Sequence, residues 1–299
     1  MPSSLLRRFR FSIPCLFALV ATIPVVSAAP QDTSAAAPQN KLRYFRPAPG
    51  AAPTEANQTG KAVATPQIAV VNSASYLTGI CPGGFATIFG NNLTDVSGVV
   101  IATTNPLPLV LSNVSVLVNG TYAPLFSIAY ANGQDQISFQ VPYGAATGPG
   151  SIFIEVLDYG RTTGTTRTDS YIEDPGIFMY QGTNAVAIVY PSYSLVGPNS
   201  PARPGDTIVL YATGLGPLSQ NLTDGYGAPS NPPAYTIDPF DVFINGEKCR
   251  VLFSGLAPGF VGLYQLNLVL PSDLPNGNLV MRISSPYASS NDAILRILY

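Results

Sequence analysis

Three carboxylates stand close together in TDSYIEDPG (residues 168–176): Asp169, Glu173 and Asp174. They are hard oxygen donors, and Ca²⁺ takes about six to eight such oxygens. No cofactor is otherwise expected, and calcium is the candidate these residues raise. Their spacing is not that of an EF-hand or an RTX repeat, and an acidic linker is ordinarily just solvated, so a plain solvated linker is the competing reading.

Other chemistry is narrowed by what the chain lacks. It has no His and no Trp. Without His, neither a Ser-His-Asp nor a Cys-His arrangement is available, and no His-containing zinc site either. No G-x-S-x-G elbow, Walker loop or G-x-G-x-x-G run occurs. A carboxylate pair of the glycosidase kind needs two acids facing each other across a cleft, which spacing alone does not supply. The expectation is a non-enzymatic protein. Tyr122, Tyr130, Tyr143, Tyr193, Tyr226 and Tyr235 offer faces on which a sugar could stack, although Tyr is equally at home in strands and at their edges. Cys81 and Cys249 are expected to be separate buried thiols.

The elements that position these residues begin after a leader. Arg7, Arg8 and Arg10 precede the apolar run FSIPCLFALVATIPVV, and Val26-Ser27-Ala28 supplies small residues for cleavage. Residues 1–28 read as a signal peptide. The apolar run is too short and too Pro-broken for a membrane span. Residues 29–66, rich in Ala, Pro, Gln and Thr, read as a disordered tether. Its KLRYFR cluster (41–46) is a solvated charge run or a docking motif. Without residues 1–28 the chain keeps 11 basic and 16 acidic residues, a net charge of −5, which argues against nucleic acid as a partner. The expected location is extracellular or at the cell surface, with an extracellular protein or polysaccharide as partner and no transmembrane segment in the mature chain.

Only 10% of the residues are charged, against about 25% in an average globular chain. Gly and Pro are abundant, at 27 and 29 residues. That composition suits turns between short strands, and the rest of the sequence bears this out by repeating itself. VSVLVNGTYAPLFSIAYANGQDQISFQVP (114–142) returns as FDVFINGEKCRVLFSGLAPGFVGLYQLNLVLP (240–271), with Asn-Gly at the same step and Pro at the close. Aligning PGGFATIFGNNL with PGDTIVLYATGL needs an offset of 122, the two Asn-Gly pairs need 126, and Gln136 with Gln265 needs 129. The drift is that of insertions in loops, and it divides the chain into modules at 67–178 and 179–299.

Within each module the apolar period is two. Val114, Val116 and Val118 alternate with Ser115 and Leu117, and Phe240, Val242 and Ile244 with Asp241 and Phe243. Asn-Gly then accepts the positive φ of a type I′ hairpin. Ile137, Phe139 and Val141 face inward against outward Gln136, Ser138 and Gln140, matched by Leu266, Leu268 and Leu270 against Gln265, Asn267 and Val269. A further strand puts Ile152, Ile154 and Val156 inward with Glu155 outward, and Leu279, Met281 and Ile283 inward with Arg282 outward. The fold class expected is all-β: two tandem immunoglobulin-like antiparallel β-sandwiches. Sequons at Asn57, Asn92, Asn113, Asn119 and Asn221 read as turn composition.

NSPARPGDTIVLYATGLGP (199–217) and GLAPGFVGLYQLNLVLP (255–271) resemble the Solibacter-type repeated C-terminal domain of secreted acidobacterial proteins. FATIFGNNL, DQISFQVPYG and EDPGIFMYQG are similar to the companion half that often precedes it. The resemblance covers roughly residues 67–299. It implies an exported bacterial β module akin to IPT/TIG and other immunoglobulin-like folds, and it carries no catalytic residues. The function expected is extracellular binding or surface structure. The alternative is a carbohydrate-binding accessory module of a glycan-degrading system.

Overall fold

The computed structural model describes residues 68–299. The signal peptide and tether read from the sequence lie outside the described residues. Strands β1 (Ala69–Asn72), β2 (Phe85–Gly90), β3 (Val99–Ile101), β4 (Val114–Val118), β5 (Thr121–Tyr122), β6 (Leu125–Ala131), β7 (Gln134–Gln140), β8 (Gly148–Asp158) and β9 (Arg161–Ser170) come first. They are followed by β10 (Gly176–Ile177), β11 (Met179–Tyr180), β12 (Asn184–Ala185), β13 (Ala187–Tyr190), β14 (Ser194–Leu195) and β15 (Thr207–Thr213). The last are β16 (Asp241–Ile244), β17 (Glu247–Lys248), β18 (Arg250–Leu256), β19 (Tyr264–Val269), β20 (Gly277–Ser284) and β21 (Ala293–Ile297). The described residues are all-β, arranged in mainly antiparallel sheets. Among the described residues no helix is long and apolar enough to cross a membrane.

Four sheets result. Sheet A runs β1-β2-β7-β6-β3, and sheet B runs β5-β4-β8-β9. Sheet C runs β14-β13-β15-β19-β18, with β10 also on β15, and sheet D runs β11-β12-β21-β20-β16-β17. Alternation decides what lies between them. Ile88, Ile128, Ile137 and Phe139 from sheet A meet Val114, Val116, Ile152, Ile154 and Val156 from sheet B in one buried core. Ile208, Leu210, Leu266 and Leu268 from sheet C meet Val242, Ile244, Met281, Ile283 and Leu295 from sheet D in another.

The two sheet pairs repeat one another in detail. Asn119 and Gly120 turn β4 into β5 with φ of 49° and 82°, and Asn245 and Gly246 turn β16 into β17 with 52° and 87°. The β6–β7 ladder slips between Leu125 and Ser127, the β18–β19 ladder between Val251 and Phe253. A parallel bridge also recurs near the end of each half, Ile80 to Ser170 and Ala202 to Ile297. Asn92 and Asn113 also hold positive φ, which agrees with their reading as turn residues.

A third apolar cluster joins the halves. Ala74, Phe85 and Leu107 from the first pack with Phe178, Val186, Ile188, Val209, Tyr211, Val261 and Leu263 from the second. Part of the outer face of sheet C is thus covered. Gln140, Gln265 and Asn267, on the polar side of the alternation, are buried. Their backbone alternation is as expected, but their outward face meets the other sheet pair instead of solvent.

Candidate functional site

The junction between the halves brings two of the three predicted carboxylates inside. Glu173 and Asp174 are buried, while Asp169 is half-buried and belongs to β9. Asp174 is held through its main chain: its N–H donates to the Gly214 carbonyl at 2.9 Å, and Asn72 Nδ2 donates to its carbonyl at 2.7 Å. The Asn72 amide also reaches Asp174 Oδ2 at 3.2 Å. Glu173 Oε2 accepts from the Ser285 hydroxyl. Asp169 turns back onto its own sheet, where Oδ1 accepts from Gly150 N–H at 2.7 Å and Oδ2 from the Tyr171 hydroxyl at 3.3 Å. Among the described residues no group of three or more His, Cys, Asp or Glu is drawn together as a metal cage. Glu173 and Asp174 are hydrogen-bonded joints of the linker. A buried carboxylate needs such donors, because leaving it unpaired costs far more than an exposed one.

Other bonds cross the same junction. Thr213 Oγ1 accepts from Phe85 N–H at 2.8 Å and donates to Gly262 O at 2.9 Å. Gln140 Oε1 accepts from Gly225 N–H at 2.6 Å, Asp224 Oδ1 from Tyr143 N–H at 2.8 Å, and Gly225 O from Leu107 N–H at 2.8 Å. Polar satisfaction and apolar packing thus agree on one relative placement of the halves. Neither free thiol is a nucleophile in this setting. Cys81 is buried with its Sγ 3.1 Å from the Ile172 carbonyl, and burial, then the charge of Asp174, pushes the thiol well above its usual range. Burial pushes Cys249 up to about 12.

The tyrosines separate into two groups. Tyr143 and Tyr235 are structural: the first is half-buried at the junction, and the second lies against Phe253 with ring centroids 5.4 Å apart. Tyr122, Tyr130, Tyr193 and Tyr226 are exposed. Tyr193 has a neighbour that sequence reasoning missed, Tyr190, whose ring meets it edge-on at 5.9 Å. Both belong to the YPSYS run around the β13–β14 turn, where Ser192 and Ser194 share a 2.8 Å hydroxyl contact. Two tyrosines three residues apart around a Pro-Ser turn were the available signal.

Register extends this pair into a strip. Tyr190 lies opposite Thr207, Thr207 opposite Val269, and Val269 opposite Arg250, so one row crosses β13, β15, β19 and β18. The adjacent row, Ile188, Val209, Asn267 and Phe253, is buried, whereas the Tyr190 row is half-buried or exposed. Three strand gaps of about 4.8 Å give a strip roughly 14 Å long. It offers ring faces at one end, a hydroxyl and an apolar side chain in the middle, and a guanidinium at the other.

No protein-family model and no curated protein sequence matches the chain. Among solved structures it is similar to the Bacteroides ovatus mixed-linkage glucan utilization locus protein SGBP-B in complex with a mixed-linkage heptasaccharide. That similarity is 12% identity and a TM-score of 0.31, over 74% of this chain and 44% of that one. It is also similar to the I9–I11 tandem of titin, at 10% identity and TM-score 0.19, over 77% and 66% of the two chains. A third, the Yersinia pseudotuberculosis adhesin InvE, has 10% identity and TM-score 0.21, over 80% and 62%. The chain spans less than half the length of the first of these and under two thirds of the third. Similarity of this degree assigns no ligand.

Proposed function

We propose that the protein is a secreted, non-enzymatic binding protein whose ligand is an extracellular polysaccharide, contacted along the Tyr190–Thr207–Val269–Arg250 strip with Tyr193 beside it. The observation that carries the reading is the register of that row: four neighbouring strands present it on one face, immediately outside the buried junction. A sugar ring has an apolar face that stacks on tyrosine and hydroxyls that pair with Ser, Thr and Arg. The joined sandwiches hold the strip in place, so ligand binding does not have to order it. Export rests on the leader at residues 1–28, and the alternative role as an accessory module of a glycan-degrading system uses the same surface.

The test is affinity electrophoresis in gels carrying soluble neutral polysaccharides, together with a glycan array. Retardation is expected for the natural chain, and Tyr193→Ala and Tyr190→Ala should each weaken it by at least about 2- to 10-fold, since an aromatic stack contributes roughly 0.5–1.5 kcal/mol beyond its buried area. Tyr122→Ala, on the far sheet, should leave binding unchanged. Retardation that survives both strip variants would move the ligand elsewhere. A folded protein that binds no glycan would sink the reading.

A further inference from the structure

At the end of the first sandwich away from Asn119 and Gly120, two inward rows finish in carboxylates. On β8 the buried positions Ile152, Ile154 and Val156 continue to Asp158, and on β7 the buried Phe139 and Ile137 lead back to Asp135. A loop at 91–97 crosses this end and ties it to both sheets. Leu93 N–H donates to Asp135 Oδ2 at 2.7 Å, and the Thr163 hydroxyl donates to Leu93 O at 2.8 Å. The loop also carries Asp95, which is exposed.

Asp135 is accounted for by Leu93 and by the Thr94 hydroxyl at 3.4 Å. Asp158 is not. It is 8% exposed, and its Oδ1 is enclosed without a hydrogen-bond partner. Arg161, opposite it in the β8–β9 ladder, is exposed, and no ion pair joins the two among the described residues. Burial, then the charge of Asp95 and more weakly that of Asp135, push the Asp158 carboxyl up, while the Asp95 and Tyr159 backbone amides pull it down. The equivalent end of the second sandwich has no such excess. By register with the Asn-Gly turns, Ser285 stands for Asp158 and donates to Glu173, and Tyr264 stands for Asp135 and donates to Gly216 O at 2.9 Å.

We propose that this end of the first sandwich binds a hard divalent cation, Ca²⁺ or Mg²⁺, through the carboxylates of Asp158 and Asp95. Two acids, with Asp135 committed to the loop, are the complement that such a site completes with main-chain oxygens and water. Mg²⁺ is commonly held by one or two carboxylates, and extracellular Ca²⁺ sites bind on the order of 10⁻⁴–10⁻³ M. The cation removes the repulsion and gives the enclosed Oδ1 its partner.

The experiment compares melting of the natural chain, Asp158→Asn and Asp95→Asn at neutral pH and fixed ionic strength, with EDTA or with about 10 mM CaCl₂ or MgCl₂. A rise of about 3–8 °C in Tm is expected for the natural chain with the cation it prefers, from mass action on the folded state. Asp158→Asn should melt at or above the natural chain in EDTA and should not respond to either salt. Asp95→Asn, a surface change, should respond less than the natural chain. Terbium emission sensitised by tyrosine should fall with Asp158→Asn. The proposal is overturned if neither cation shifts the natural chain, or if Asp158→Asn shifts equally. A shift lost only in Asp174→Asn also overturns it, because it would place the cation at the junction.

Discussion

The second sandwich receives the incoming chain at the end where Tyr264 and Ser285 sit, and its polar groups there are met by protein: Gly216 O for the tyrosine, Glu173 for the serine, and Gly214 O for the Asp174 amide. The first sandwich shows the same backbone at the same place, but Asp135 and Asp158 occupy those positions and Asp158 Oδ1 has no partner. One end is met by the chain entering from the first sandwich; at the other, among the described residues, the 91–97 loop crosses. The difference teaches that a repeated fold does not repeat its energetics, because an inward strand position at the end of a sandwich takes its character from whatever caps it.

The largest expected effect comes from breaking the covered end. Gly214 has φ of +75°, and a Cβ there would lie 2.1 Å from the Asp174 carbonyl oxygen, a backbone atom that cannot swing aside. Gly120, in the first Asn-Gly hairpin, has φ of +82° but open space around its Cβ. Gly120→Ala should therefore cost only the left-handed penalty, about 1–2 kcal/mol. Gly214→Ala adds a steric clash of roughly 1–3 kcal/mol to that penalty. Urea unfolding of both variants gives the difference. Equal losses would mean that the Asp174 contact contributes nothing to joining the halves.

Much of this was legible in the sequence. Period-two alternation and two Asn-Gly steps are local signals, and strands β4, β7, β8, β16, β19 and β20 stand where they placed them. The PGD and GLGP phrases also have local physical roles: Arg203 N–H donates to Asp206 Oδ2 at 2.8 Å, Leu270 N–H to Asp206 O at 2.9 Å, and Gly214 and Gly216 accept from Asp174 and Tyr264. What alternation could not give was the fate of the outward face. Polar residues on one side of a strand, such as Gln140, Gln265 and Asn267, ordinarily mean solvent. Here each is polar and buried because it lies at the edge of a third core that forms only when the halves meet. The junction carboxylates were found by type, yet their burial was not, since it depends on Asn72 and Gly214, which lie 102 and 40 residues away from Asp174. The Tyr190 strip depends on cross-strand register, which no single segment encodes.

A smaller effect sharpens the contrast at the Asp158 end. Because the folded-state pKa of Asp158 is raised, the folded protein holds that proton more tightly than the unfolded chain. The resulting stability is complete below the unfolded value of about 3.9 and is lost as pH rises through the raised folded value. In EDTA, the natural chain should therefore lose stability relative to Asp158→Asn across that window, facing Asp95 on the loop, Asp135 on β7 and Arg161 on β9. Parallel melting curves for the two proteins at each pH would show that Asp158 feels no excess charge. Ser285→Ala, at the matching covered position, should produce no such pH-dependent gap, since Ser285 carries no charge to titrate.

The smallest effects should come from two tyrosines on neighbouring strands of sheet C. Tyr211 and Tyr264 are both buried, and burial pushes both phenols above their usual range. They differ in direction and in partners. Tyr211 faces the third core and its hydroxyl has no hydrogen-bond partner, while Tyr264 faces the second sandwich's own core and donates to Gly216 O at 2.9 Å. Replacing an unpaired buried hydroxyl by hydrogen removes a desolvation cost, so Tyr211→Phe should raise stability by about 1 kcal/mol. Tyr264→Phe should lower it by about 1–2 kcal/mol, because it leaves the Gly216 carbonyl unmet. The substitutions delete the same atom from the same ring, so opposite signs in urea unfolding would isolate hydrogen-bond satisfaction from packing. Two losses of equal size would place a buried water on Tyr211 and make the junction between the sandwiches as well satisfied as the core beside it.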